Sequence, residues 1–214
     1  MDLSQYIHAA PVASVIFAIT IAYSLVAFYN DMVYEKSILH PYSVYQGKSL
    51  YTLITSGFIH ADLMHLFFNM FTFFFFAFTL ESPQLLGHWQ FALLYFLSMV
   101  LADLPSVVKH KDNYNYRSLG ASGAISAVIF SYILFNPLDS MYLMFLPIPI
   151  PAIVFGILYL IYCSYASKKQ WGNINHDAHF FGAVAGLMIT IILKPHVLSD
   201  FIHAITLKLQ SFGH

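Results

Sequence analysis

Leu119-Gly120-Ala121-Ser122-Gly123-Ala124-Ile125 opens a run without charge: no Asp, Glu, Lys or Arg occurs between Ser118 and Leu138. One hydroxyl sits between glycines in an apolar stretch. Residues without bulk let another helix, or a substrate backbone, approach that hydroxyl closely. Gly-x-Ser-Gly inside a membrane helix is commonly no more than a close-packing patch, so the stretch points to chemistry only in company. Its company is His60 to Asn69 and His179 to Gly186.

The 214 residues are 59% hydrophobic and 9% charged, whereas soluble domains carry about 25% charge. So much apolar surface cannot be hidden from water, and lipid must be the solvent. The net charge is -1, and no basic patch suggests nucleic acid. The single cysteine, Cys163, rules out an internal disulfide and reads as packing within an apolar run. Met1 to Pro11 holds no Lys or Arg, so the first apolar run reads as a retained span rather than a signal peptide.

Charges and prolines mark off six spans: Val12 to Tyr29, Asp62 to Leu80, Trp89 to Leu104, Leu119 to Phe135, Met141 to Tyr165 and Ala178 to Leu193. Asn30 to Gly57 is a long polar-aromatic loop, too long for a tight turn. Phe71, Phe73, Phe74, Phe75, Phe76 and Phe78 form a lipid-facing or packing belt on the second span, which Glu81 and Pro83 end. Asp103 and Pro105 end the third, and Ser106 to Arg117 is a solvated loop. Pro147, Pro149 and Pro151 predict an extended or loosely helical entry to the fifth span, with helix from about Pro151. The expected fold class is all-α, a polytopic six-transmembrane-helix bundle over residues 1–195 with a long loop between helices 1 and 2. In the tail, 196–214, Leu198, Phe201, Ile202, Ile205 and Leu209 recur at helical spacing, suited to an interfacial amphipathic helix. No internal repeat supports an inverted-repeat transporter.

Polar groups within hydrocarbon are costly and mark function by default. His65 and Asn69, four apart, share a helix face, with His60 at its entrance. Ser126 lies one turn below Ser122. His179, Gly182 and Gly186 form one stripe, pressed against a neighbour for which Gly123 and Ala127 leave room. The bland reading is an interhelical hydrogen bond for His65 and Asn69 and a satisfied core histidine for His179. His176 and Asp177 read as interfacial.

Together these clusters resemble the rhomboid family of intramembrane serine proteases. The resemblance rests on Leu53-Ile54-Thr55-Ser56-Gly57-Phe58-Ile59-His60, His65-Leu66-Phe67-Phe68-Asn69, Glu81, Gly87, Phe91 and Tyr95. It continues through Gly120-Ala121-Ser122-Gly123-Ala124, then His179-Phe180-Phe181-Gly182 and Gly186. It implies Ser122 as nucleophile and His179 as base. His65, Asn69 and the Ser122 backbone N–H become oxyanion donors, and His60 a loop-packing residue. Gly120, Gly123, Gly182 and Gly186 play supporting parts. Two positions depart from the family's habit. Tyr51-Thr52 replaces a Trp-Arg pair, and Ser126 replaces an aromatic residue that stacks on the base. With no seventh span and no soluble domain, the chain looks like the minimal bacterial-type form.

A serine hydroxyl must lose its proton as it attacks, and an imidazole serves because its pKa lies near operating pH. No acidic residue lies within the sixth span to orient His179, so the expected machinery is a Ser-His dyad without cofactor or metal. The implied substrates are transmembrane proteins in the lipid bilayer, cut where helix-weakening residues let the chain unwind. The proline-rich fifth span is the expected lateral gate. Rival readings fare worse. His-Glu-x-x-His is absent, with His60 and His65 five apart, and paired intramembrane aspartates are absent too. A channel would spread its polar residues along a path, whereas these gather at one depth. A proteolytically inactive rhomboid-like protein that binds transmembrane helices is the remaining alternative.

The chain is expected in a bacterial inner membrane. Lys36, Lys48, Lys109, Lys111, Arg117, Lys168 and Lys169 follow the odd-numbered spans, which by the positive-inside rule puts the N-terminus outside. The resemblance puts it inside with the site opening outward, and that orientation is adopted here.

Overall fold

The computed structural model describes residues 7–143, 146–169, 171–172 and 174–211. Parts of the N-terminal, gate and tail expectations, at 1–6, 144–145 and 212–214, lie outside the described residues. In chain order the helices are α1 (Pro11–Phe28), α2 (Asp31–Ser37), α3 (Pro41–Tyr45), α4 (Thr52–Thr55), α5 (Leu63–Leu80), α6 (His88–Lys109) and α7 (Ser122–Phe135). A two-stranded hairpin, β1 (Ser140–Leu143) and β2 (Leu146–Pro151), precedes α8 (Ala152–Lys169), α9 (His176–Leu193) and α10 (His196–Gln210).

Among the described residues α1, α5, α6 and α9 are long and apolar enough to cross a membrane. The protein is thus a polytopic, mostly helical membrane protein. Large apolar side chains such as Val15, Ile19, Phe75, Ile157, Ile161, Met188 and Ile192 face outward, as lipid-exposed surface requires. Within the phenylalanine belt Phe73 is fully buried, while Phe71, Phe74 and Phe75 are exposed.

α7 stands at the centre, packed by α5, α6, α8 and α9. Every residue from Gly123 to Ser131 is buried. The helix has only 14 residues. At about 1.5 Å rise it spans about 21 Å, against a hydrocarbon core of about 30 Å. A helix of this length standing across a membrane has one end below its surface.

α7 and α9 meet along a ladder of small residues. A side chain at Gly182 would overlap the Gly123 carbonyl, and one at Gly186 would overlap Ala127. One turn further the Thr190 hydroxyl lies 2.6 Å from Ser131 Oγ. Three pairs, each four residues on from the last, fix the register of the two helices.

Several expectations need amendment. α6 continues past Pro105 to Lys109 rather than ending at Leu104. Proline loses one helical bond, but beyond it Ser106 and Val107 are buried, and Ser106 Oγ donates to Asn175 Oδ1 at 3.0 Å. Glu81 does more than end a span. Its buried carboxylate accepts the N–H groups of Val12 (2.9 Å) and Ala13 (2.6 Å) and lies 2.7 Å from His88 Nδ1. It thereby caps the N-terminus of α1, where orphan donors and the helix dipole favour an anion. The all-helical expectation also gives way at the hairpin, where Ser140 pairs with Pro151 and Tyr142 with Pro149. Pro147, Pro149 and Pro151 lack the donor a helix interior needs and fall on a strand with an open edge. The fifth helix therefore starts at Ala152.

The long first connection is not irregular, since it holds α2, α3 and α4. Leu39 and Ser118 exchange backbone hydrogen bonds of 3.0 and 3.1 Å, and Gly120 N–H donates to Ser56 O at 2.9 Å. This connection thus braces the turn that leads into α7. In the tail, α10 buries Val197 and packs Phe201 against the main core.

Candidate active site

Ser122 is the first residue of α7, and His179 lies one turn into α9. His179 Nε2 and Ser122 Oγ are 2.7 Å apart. Two local devices set this distance. The Gly182–Gly123 contact brings the helices to backbone distance directly below. Above, Asn175 caps α9 by accepting Ala178 N–H at 3.1 Å, while its Nδ2 donates to Ser118 Oγ at 3.1 Å. Asn175 thereby ties the start of α9 to the turn before Ser122. No sequence rule singled it out beyond its place ahead of a helix.

The turn itself requires glycine at 120. Its φ is +111°, a region that L side chains rarely adopt. A Cβ there would lie 2.7 Å from His65 Cε1 and 2.9 Å from its Nε2, with Asn69 Nδ2 at 3.8 Å. His65 and Asn69 on α5 therefore converge on the entry to α7. Asp62 caps α5 by accepting His65 N–H at 2.8 Å. A long hydrogen bond from Ala61 N–H to His65 Nδ1 (3.5 Å) leaves Nε2 as that ring's donor. Asn69 is buried, and its Nδ2 has no hydrogen-bond partner among the described residues.

His60 packs edge-to-face on His65, with ring centroids 4.9 Å apart, and its Nδ1 lies 2.9 Å from Ser24 Oγ on α1. Burial, reinforced by His65, pushes its pKa down to about 3, so the ring stays neutral. It joins α1 to the entrance of α5.

Sequence reading missed Tyr159. Its ring on α8 stacks on His179, nearly parallel at 10° with centroids 6.4 Å apart. Its hydroxyl meets Ser126 Oγ at 2.7 Å, and Ser126 in turn donates to the Ser122 carbonyl at 2.9 Å. The residue at position 126 thus does not stack on the histidine but anchors one that does. The available signal was chemical: a tyrosine hydroxyl in an apolar run needs a partner. Among the described residues the His179 ring hydrogen-bonds to Ser122 alone, and no carboxylate hydrogen-bonds to it. Asp177, two residues earlier, is engaged by Lys109 (2.5 Å) and Ser167.

Ser122, His179, His65, Asn69 and Tyr159 line one open cavity of about 1880 Å³. Its wall also includes Phe71, Thr72 and Phe75 of α5 and Tyr142 and Phe155 across from them. A family model for the Rhomboid domain matches residues 47–196. The chain belongs to the rhomboid family. A relative from Arabidopsis thaliana, "RHOMBOID-like protein 12, mitochondrial", is 30% identical over 152 residues. That alignment covers 65% of this chain and 45% of the relative, so the chain matches less than half of that protein's length. The matched range of this rhomboid carries every residue of the site from His60 to His179. Helices α1, α2 and α3 precede it, and Glu81 and His60 bind α1 to it.

Proposed function

We propose that this rhomboid is an intramembrane serine endopeptidase that hydrolyses peptide bonds in or near transmembrane segments of other membrane proteins. Ser122 attacks the carbonyl carbon while His179 Nε2 takes its proton, then returns it to the leaving amine. The 2.7 Å contact between these groups, at the recessed head of a short helix, is the observation that carries the reading. The developing oxyanion meets the Ser122 N–H, which has no intrahelical partner at a helix start. His65 and Asn69 supply the side-chain donors. Three orphan N–H groups and the helix dipole add positive potential at the same point.

The bundle is read as six spans, with α7 and α8 joining the four long apolar helices, and residues 1–195 as one domain with α10 as its tail. Substrate helices enter between α5 and the hairpin with α8. The cavity is lined from both walls there, by Phe71, Thr72 and Phe75 on α5 and by Tyr142 and Phe155 on the other side. The test is a fluorophosphonate probe together with a fluorescent transmembrane substrate. The unaltered protein should label and cleave, and Ser122→Ala should do neither. Absence of both in the unaltered protein would leave an inactive, helix-binding rhomboid.

Tyr159 acts in this reading as a positioning residue. Tyr159→Ala should lower kcat about 10²-fold with little change in KM, the scale of a misplaced catalytic group. Tyr159→Phe keeps the stack, loses the hydroxyl's contacts with Ser126 and Cys163 and should fall by no more than about tenfold. Equal losses in both variants would show that the ring's stacking does nothing.

The site is proposed to open to the outer face of a bacterial inner membrane, against the charge distribution of the loops. Reporter fusions after Phe135 and Lys169 decide it. An externally active reporter after Phe135 rather than Lys169 would reverse the orientation.

A further inference from the structure

Cys163, one turn after Tyr159 on α8, is fully buried. His176, in the first turn of α9, is 4% exposed. The first reads from sequence as packing and the second as an interfacial residue, yet the fold brings them together beside His179. Cys163 Sγ and one ring nitrogen each of His176 and His179 lie within 4.8 Å of one another.

His176 is prepared in a particular way. Its Nε2 donates to the Trp171 carbonyl at 3.1 Å. In the neutral ring the lone pair is then on Nδ1, which is buried and has no hydrogen-bond partner among the described residues. A buried nitrogen lone pair without a donor is costly. It is also what a metal takes, and metal-ligating histidines characteristically give their other N–H to a backbone carbonyl. Tyr162 packs edge-on against the same ring, with centroids 5.4 Å apart, and fixes its plane.

We infer that Cys163, His176 and His179 bind a thiolate-seeking divalent ion of the zinc type, and that its occupancy switches the Ser122–His179 pair off. One sulfur and two imidazole nitrogens suit zinc. With Zn–S about 2.3 Å and Zn–N about 2.0 Å, the ligand atoms would draw to about 3.5 Å apart. That needs about an ångström of side-chain movement. The fourth position is left to water. The cavity that holds Ser122 also reaches His176 and His179, which gives the ion a path.

The proton balance makes the ion an inhibitor. To accept the serine proton, His179 must keep Nε2 bare and carry its own proton on Nδ1. An ion on Nδ1 moves that proton to Nε2, which then donates to Ser122 and can accept nothing. An ion on Nε2 occupies the lone pair directly. In both cases Cys163 loses its thiol proton to solvent, one per ion bound. The off-switch rests on the protease reading, whereas the ion site does not.

The test uses the purified full chain in detergent. Cobalt added to the unaltered protein should give a thiolate-to-metal charge-transfer band. The band should persist in Ser122→Ala and vanish in Cys163→Ala, and His176→Gln provides a second ligand variant should Cys163→Ala fold poorly. Zinc should inhibit cleavage reversibly, with EDTA restoring it. Metal-free Cys163→Ala should cleave at the unaltered rate and need at least about tenfold more zinc for half-inhibition. A band that does not depend on Cys163 overturns the site. Equal zinc sensitivity in both proteins, or a Cys163-dependent band with unchanged cleavage, overturns the switch. Should the metal-free protein cleave nothing yet show the Cys163-dependent band, the protease reading fails and the ion site stands.

Discussion

His179→Ala is expected to abolish turnover and serine-probe labelling together while the melting transition stays near its original temperature. The ring is half-buried and among the described residues hydrogen-bonds only to Ser122, so in the proposed mechanism its loss removes the base without orphaning a buried partner. What remains is an ordinary alcohol, barely nucleophilic near neutral pH. In the same proposed mechanism, removing an oxyanion donor is a lesser injury. Asn69→Ala leaves the pair intact and should slow turnover by about 10–10³, again without a stability change, because among the described residues Nδ2 makes no hydrogen bond to lose. His65→Ala should fall between them, since its ring also fills space against Gly120 and His60. Unfolding of Asn69→Ala with normal cleavage by His65→Ala would mean that the two residues are structural glue.

Gly182→Ala should damage both fold and catalysis. The added methyl would lie inside the Gly123 carbonyl, a backbone atom that cannot swing aside. α7 and α9 must separate. Overpacking of a tight interface costs about 1–3 kcal/mol, visible as a lower melting temperature. The rate should suffer more than the stability, because Ser122 precedes Gly123 and His179 lies one turn before Gly182. An ångström between base and nucleophile costs about 10² in rate. Gly182→Ala with unaltered melting and unaltered kcat would show that the contact positions nothing.

That contact was legible in the sequence, because the small residues on both helices recur at the helical period and periodicity is a local signal. Ser122, His179, His65 and Asn69 were legible for a related reason: polar side chains in hydrocarbon stand out against their surroundings. Helix ends were less so. Pro105 reads as a stop by local rules, but the buried Ser106 and its bond to Asn175 carry α6 onward. Glu81 reads as a terminator because nothing local announces the start of α1 as its partner. The proline-rich entry to the fifth span reads as extended or loosely helical, and the structure takes the first form, although no local signal announces its pairing with β1. Tyr159, Asn175 and the Cys163–His176 pair were invisible for one cause. Each takes its meaning from a residue on a different helix, and no spacing rule within a single segment can show that.

The shortness of α7 turns the protein into a depth gauge. In the proposed arrangement the nucleophile is carried at the head of a rod of about 21 Å, so its height is measured from the opposite face of the membrane. The bond to be cut is then chosen by its distance along the substrate helix as much as by the residues around it. Bilayers differ in thickness by several ångströms between membranes, and each about 1.5 Å of helix is one residue. A thicker membrane would present a bond a residue or two away to the same serine. Lipid composition thus becomes a determinant of cleavage position without any contact with the catalytic groups.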